Sequence, residues 1–148
     1  LFSVEVQLSD FLLEMAEVAS NQKLKDALAG HREETLLQQE RLESILQRHR
    51  ASAREHTDQA MQALIGECQK MLMLVEGAEL RDAALLASAQ KLEHYEIAAY
   101  GTACALAEQL GLAEDQKTLH QSLEEEKKAD AALSQLAKAD VNRAAAAG

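Results

Sequence analysis

Proline and tryptophan are absent from this 148-residue chain, and phenylalanine and tyrosine contribute two residues each. Without proline, nothing in the sequence obliges a helix to break. Aromatics at 3% leave little of the material from which strands are built, and an all-β or α/β chain would also want Val, Ile and Thr runs separated by Gly and Pro turns. Positive charge is in short supply, with 15 Lys and Arg against 25 Asp and Glu and a net charge of −10. Displacing counterions from nucleic acid needs basic surface, so no nucleic-acid partner is expected, and anionic membranes are disfavoured for the same reason. Acidity suits a protein that attracts cations, and equally one that is merely soluble.

The two cysteines, Cys68 and Cys104, make no C-x-x-C pair and fall among apolar helical positions. Buried, reduced thiols in a cytoplasmic protein are the expectation. No run of about 18 apolar residues is present, so no membrane span is expected. The chain opens on Leu1 rather than Met and is amphipathic from its first residue, which suggests a truncated start; the lack of a signal peptide therefore carries little weight. There is no Gly-x-Ser-x-Gly, no phosphate-binding glycine loop and no zinc spacing.

What fills the chain is Ala, Leu, Glu, Gln and Lys, the strong helix formers. Its length suits one domain. Helical periodicity marks a first segment over 1–19, with seam Leu1, Glu5, Leu8, Leu12, Met15 and Ala19. A second runs over 22–49 through Leu24, Leu28, His31, Thr35, Gln38, Leu42 and Ile45, with Ser20 and Asn21 available to cap it. A polar and basic stretch from Arg48 to His56 leads out. Thr57 and Asp58 then introduce a third helix with Met61, Leu64, Ile65, Cys68, Leu72 and Val75 on its apolar face, stopping near Gly77. The fourth is expected from about Asp82 to Gly111 and the fifth over 113–138, with residues 141–148 as a tail. Gly30, Gly66 and Gly101, inside helices, suggest close helix approach.

Short links join helices one and two, and four and five, so each pair should be an antiparallel hairpin. Residues 50–81 are long enough to cross the bundle and carry a helix of their own. The expected fold is therefore all-α: a ferritin-like four-helix bundle over 1–140 with a long crossover bearing an extra helix.

Polar residues interrupt the seams. Glu5, Glu93 and Glu126 stand between apolar stripe neighbours on three helices, and His31 does so on the fourth. Burying a carboxylate without a partner is costly. His31 and Glu34 are three apart and share a face, as do Glu93 and Glu96, with Tyr100 a turn further on; Glu126 and Asp130 are four apart. Carboxylates and imidazole projecting inward from four helices are how bundles hold two iron or manganese ions. The customary Glu-x-x-His is absent, however: His31-x-x-Glu34 runs in reverse, and Ala129 stands three after Glu126. Interhelical hydrogen bonds and ion pairs, with Glu34, Glu96 and Asp130 at the solvent edge, explain the same residues. His94 lies a quarter-turn off the stripe, in reach of a supporting hydrogen bond rather than of an ion.

The block Ala89–Gly101, reading AQKLEHYEIAAYG, resembles the signature of the YciE/YciF family of bacterial stress proteins. Glu5–Leu8, His31–Thr35, Glu76–Gly77, Leu123–Asp130 and Val141–Asn142 resemble further motifs of that family, so the likeness spans nearly the whole chain. The resemblance implies a ferritin-like bundle, commonly a homodimer, acting in the stress response. Through rubrerythrin-like di-iron bundles it also implies Glu5, Glu34, Glu93, Glu96 and Glu126 as carboxylate ligands and His31 as an imidazole ligand. Two functional expectations follow. One is a di-iron or di-manganese protein reacting with oxygen or peroxide; the other is a metal-free scaffold that makes a dimer or recruits a partner.

Overall fold

A computed structural model describes residues 1–52 and 56–147. The described residues are helical throughout, apart from connections. The helices are α1 (Phe2–Val18), α2 (Gln22–Arg48), α3 (Gln59–Leu74), α4 (Ala78–Gln109), α5 (Ala113–Leu136) and α6 (Asn142–Ala147), with a π-helical turn, Ala137–Val141, joining α5 to α6. The middle of the expected Arg48–His56 stretch, residues 53–55, lies outside the described residues, as does residue 148.

α1 packs chiefly on α2, and α4 on α5, which gives the two expected antiparallel hairpins. The hairpins meet along α2 and α5 and, more sparingly, along α1 and α4. α3 lies over α4 and α1, carrying the chain from the end of α2 back to the start of α4. α2 and α4 therefore run in the same direction. This is the ferritin-like arrangement, a four-helix bundle whose crossover bears an extra helix.

Local chemistry fixes the ends. The Asn21 side chain accepts from the Leu24 N–H (3.1 Å) and Asp58 from the Met61 N–H (2.8 Å), capping α2 and α3. α4 closes with Gly111 at φ 69, which lets the Leu112 N–H return to the Ala107 carbonyl (2.9 Å). Gly77 differs from its sequence reading. α3 already ends at Leu74, and Gly77, at φ 89, caps the start of α4, whose first residue, Ala78, lies four residues ahead of the expected Asp82 start. Asp82 serves another end instead: its carboxylate accepts from the Ser20 and Asn21 N–H groups (2.8 and 2.7 Å) and pins the α1–α2 turn to α4. At the opposite end Asp115 of α5 takes Arg48 Nε (3.0 Å) and His49 Nε2 (2.5 Å) from the end of α2. His49 is thus part of a clasp between the end of α2 and the start of α5.

The C-terminal segment is helical over 142–147, and Val141 is buried in the core. The glycine expectation is corrected. A Cβ placed on Gly30, Gly66 or Gly101 would meet nothing within 4 Å, so no neighbouring helix presses on them. Both cysteines are buried free thiols.

The core is layered. One apolar cluster gathers Leu8, Leu12, Leu24, Leu28, Leu85, Leu92 and their neighbours; a second gathers Leu42, Tyr100, Cys104, Leu119 and Leu123. Along α2, α4 and α5 the residues between these clusters are polar and buried: His31, Thr35 and Gln38; Glu93 and Glu96; Glu126.

Candidate metal centre

Each helix places its polar residue by the same rule that places its leucines, since a seam position faces the axis whatever side chain occupies it. Glu5 from α1, His31 from α2, Glu93 and Glu96 from α4 and Glu126 from α5 are all buried, the four carboxylates at 1% exposure or less. His31, Glu93, Glu96 and Glu126 each offer a ligand atom, and these atoms all lie within 4.8 Å of one another. His31 Nε2 is 3.0 Å from Glu93 Oε1 and 3.4 Å from Glu126 Oε2, close but not aligned for hydrogen bonds.

Two neutral side chains support the layer. Tyr100 donates from its hydroxyl to Glu5 Oε1, and Gln38 Nε2 donates to Glu126 Oε1 and to Glu125 Oε2 (3.2 Å). Arg41 in turn anchors Glu125. Gln38 could be placed on the seam from sequence but carried no functional signal there. The signal available was an amide at a core position, which demands partners.

The remaining candidates sit further out. Glu34 approaches His31 Nδ1 at 3.6 Å, with its side chain half exposed. Asp130 accepts from Gln90 (3.1 Å) and stands 3.8 Å from His94, whose ring is exposed and bonds the Gln90 carbonyl (2.8 Å). The structure does not bring Asp130 or His94 into the cluster. Spacings that keep a residue near a face do not always turn it inward.

The electrostatics are those of crowded acids in a dry layer. Burial pushes Glu5 up to about 7, against the opposing pull of Tyr100 and His31. Burial pushes Glu126 up to about 9, with His31 opposing and Glu93 adding. Glu96 is held well above the carboxylate range by burial and by repulsion from Glu5, Glu126 and Glu93. For His31, burial favours the neutral ring, but Glu34, Glu93 and Glu126 outweigh it and raise its pKa well above the usual value. Burial and the charge of Glu5 push the Tyr100 phenol up, so it remains a donor.

The donor set fits a divalent cation. Among the described residues, nine buried side-chain nitrogen and oxygen atoms lack a hydrogen-bond partner: both nitrogens of His31, both carboxylate oxygens of Glu93 and of Glu96, and one oxygen each from Glu5, Gln38 and Glu126. Leaving one such atom unsatisfied costs about 1–3 kcal/mol. A cation would engage several at once and supply the charge that the carboxylates require. Carboxylates with a single imidazole suit iron and manganese better than thiolate-seeking metals.

The model of the family described as domain of unknown function DUF892 matches residues 1–146. The chain belongs to this family. Protein YciF of Escherichia coli K12 is 43% identical over 145 residues, covering 97% of this chain and 87% of that protein. The crystal structure of the E. coli stress protein YciF superposes with a TM-score of 0.89 at 44% identity, over 95% of this chain and 89% of that one. YcfI of Rhodopseudomonas palustris, whose given role is only provisionally structural, superposes with a TM-score of 0.86 at 36% identity, over 90% and 85% of the two chains. The chain is thus a DUF892 homologue of a bacterial stress protein, an all-helical bundle with a buried His/Glu cluster able to hold a metal. No helix among the described residues is long and apolar enough to cross a membrane.

Proposed function

We propose that this protein holds two iron or manganese ions in its polar layer and reacts with oxygen or peroxide as part of a stress response. The observation that carries the reading is the set of partnerless, fully buried donor atoms converging from both hairpins. His31, Glu93, Glu96 and Glu126 would hold one ion, with Glu5 and Glu34 completing the set for a second. Ions bound there would supply electrons to a peroxide or to oxygen. The chain's own part is to orient and to dry the site. Tyr100 fixes one oxygen of Glu5 and Gln38 one oxygen of Glu126, which leaves the opposite oxygens free. The apolar layers above and below exclude water. A homodimer in the bacterial cytoplasm is the assembly we propose, a reading that the exposed Leu13, Val18, Met73 and Leu74 support.

The rival reading is a metal-free scaffold. It is favoured by the compensation already present, since Tyr100, Gln38 and the His31 proton answer part of the negative charge. One experiment separates the two. Protein purified without chelator is assayed for metals, then melted with and without added Fe(II) or Mn(II). Two ions per chain, with a Tm rise of roughly 10–20 °C at a hundredfold excess over Kd, are expected. Glu93→Ala should remove most of the metal and the peroxide-dependent absorbance change. Retention of both by Glu93→Ala, or a wild-type Tm that ignores both metals, leaves the scaffold standing and the metal centre refuted.

A further inference from the structure

Gln38 has two acceptors on α5, and they belong to different environments. Its amide nitrogen donates to Glu126 Oε1 in the buried layer and to Glu125 Oε2 (3.2 Å) on the outer side. The two amide hydrogens can serve one acceptor each, and turning the amide over would set its carbonyl oxygen against two carboxylates. Gln38 is fully buried and its Oε1 has no partner, so the amide is held from its nitrogen side alone.

Glu125 is held in turn. Arg41 of α2 meets it with a fork: Nη1 donates to Oε2 (2.5 Å) and Nη2 to Oε1 (3.0 Å). Nη1 also reaches Ser122 Oγ (3.2 Å), and Gln121 Nε2 donates to Glu125 Oε1 (3.1 Å). The Arg41 and Glu125 side chains are 21% and 19% exposed. An unbroken run of contacts therefore leads from solvent, through Arg41, Glu125 and Gln38, to a carboxylate of the candidate metal centre. The oxygen of Glu126 left without a partner, Oε2, lies 3.4 Å from His31 Nε2.

Arg41 acts on a cation in the layer in two ways of opposite sign. Its charge repels the cation, so by Coulomb's law alone its loss would tighten binding, an effect that water weakens at a partly exposed guanidinium. Its contacts act the other way. Without the fork, Glu125 is free to swing into water. One amide hydrogen of Gln38 then stays buried without an acceptor, and nothing fixes the orientation in which the amide holds Glu126. Hydrogen-bond partners of ligating side chains contribute about ten- to a hundredfold to metal affinity, so the contacts outweigh the repulsion.

We propose that Arg41 and Glu125 are positioning residues for Glu126, acting through Gln38, and that this run of contacts sets how tightly the layer holds a divalent cation. The run of contacts stands on its geometry; its effect on a cation rests on the metal reading above.

The test is a double-mutant cycle on the whole chain, with Co(II) as the probe because its visible absorption reports its ligands. Gln38→Met, of similar size, should weaken Co(II) binding at least tenfold. Arg41→Met should weaken it too, against the sign that its lost charge would give, and the two variants should show the same altered Co(II) bands. The losses should not add: the double variant should match Gln38→Met within about twofold, the limit for independent sites. Glu125→Ala, which places a strong helix former at a partly exposed position, is a second variant with the same expected non-additivity against Gln38→Met. Urea midpoints of the metal-free proteins should be non-additive as well, because Arg41 and Gln38 share Glu125 as acceptor. Arg41→Met that binds Co(II) as tightly as the wild type or more tightly, or losses that add, overturns the proposal. A wild type that takes up no Co(II) overturns the metal centre instead; the midpoints then decide the run of contacts, which non-additive values support and additive values overturn.

Discussion

Glu96 shows how far a single side chain can be set against the stability of its own fold. It is fully buried, both its oxygens lack partners, and three other carboxylates press on it. Replacing a buried ionisable group by an apolar one of similar volume is often neutral or stabilising, by up to about 1–4 kcal/mol. Glu96→Met should therefore raise the urea midpoint of the metal-free protein and, in the same sample, reduce its metal uptake. A lower midpoint would show that the carboxylate is already well compensated. Much at this scale was legible in the sequence. Glu5, His31, Glu93 and Glu126 occupy seam positions, and a seam residue is buried whatever its polarity. Glu96 follows from Glu93 by a three-residue step. Asp130 and His94 were less legible because positions at the edge of a stripe turn inward or outward according to neighbours the periodicity does not name. Gln38 breaks the apolar seam as a carboxylate does, but the pattern does not say that its partners are Glu125 and Glu126 on another helix.

Helix ends obeyed their signals where the chain itself supplied the partner, and departed where a distant residue did. Gly111, Asn21 and Asp58 perform as their local sequences predict. Asp82 looks like the cap of its own helix, yet its carboxylate is committed to the turn at residues 20 and 21, some sixty positions earlier. No local pattern could have announced that pairing. Asp82→Ala should strip two backbone N–H groups of their acceptor and lower stability by about 1–3 kcal/mol. Urea denaturation checks it: the midpoint should fall with little change in slope, since the surface exposed on unfolding is unaltered. A groove between α2 and α5, lined by Ala27, Gly30, Ala129 and Ala132, was likewise invisible in sequence. Glycines inside helices suggested close approach, whereas Gly30 borders open space. Small residues permit both outcomes, and only the packing of whole helices decides between them.

For the molecule as a whole, the acid layer gives the metal-free protein an unusual response to pH. Glu5 and Glu126 have folded-state pKa values raised to about 7 and about 9, so the folded chain retains protons that the unfolded chain releases. Stability must then decline as pH rises from about 4.5 through those values. His31 acts in the same sense, because its raised pKa gives a contribution that is full below about 6.5 and is lost as pH rises through the folded value. Asp58 and Asp115 act in the opposite sense. Burial alone would raise each, but the hydrogen bonds from Met61 and Tyr95, and from His49 and Arg48, outweigh it and hold them below the usual aspartate value, so their contribution fails in strong acid. Denaturant midpoints measured in EDTA should be higher near about pH 5.5 than near about pH 8.5. Bound cations should flatten or invert that trend, because they take the place of the retained protons. A metal-free protein most stable at about pH 8.5 would contradict the charge distribution described here.

The layered interior also bears on how the two hairpins find each other. Leucines against leucines tolerate many alignments, and helices offering only hydrocarbon could slide past one another at little cost. Here a slip of one turn, about 5.4 Å, would drive a carboxylate into the methyl groups above or below it. The acid layer thus works as an index mark, admitting one alignment of the hairpins and penalising its neighbours, whether or not anything is ever bound between them.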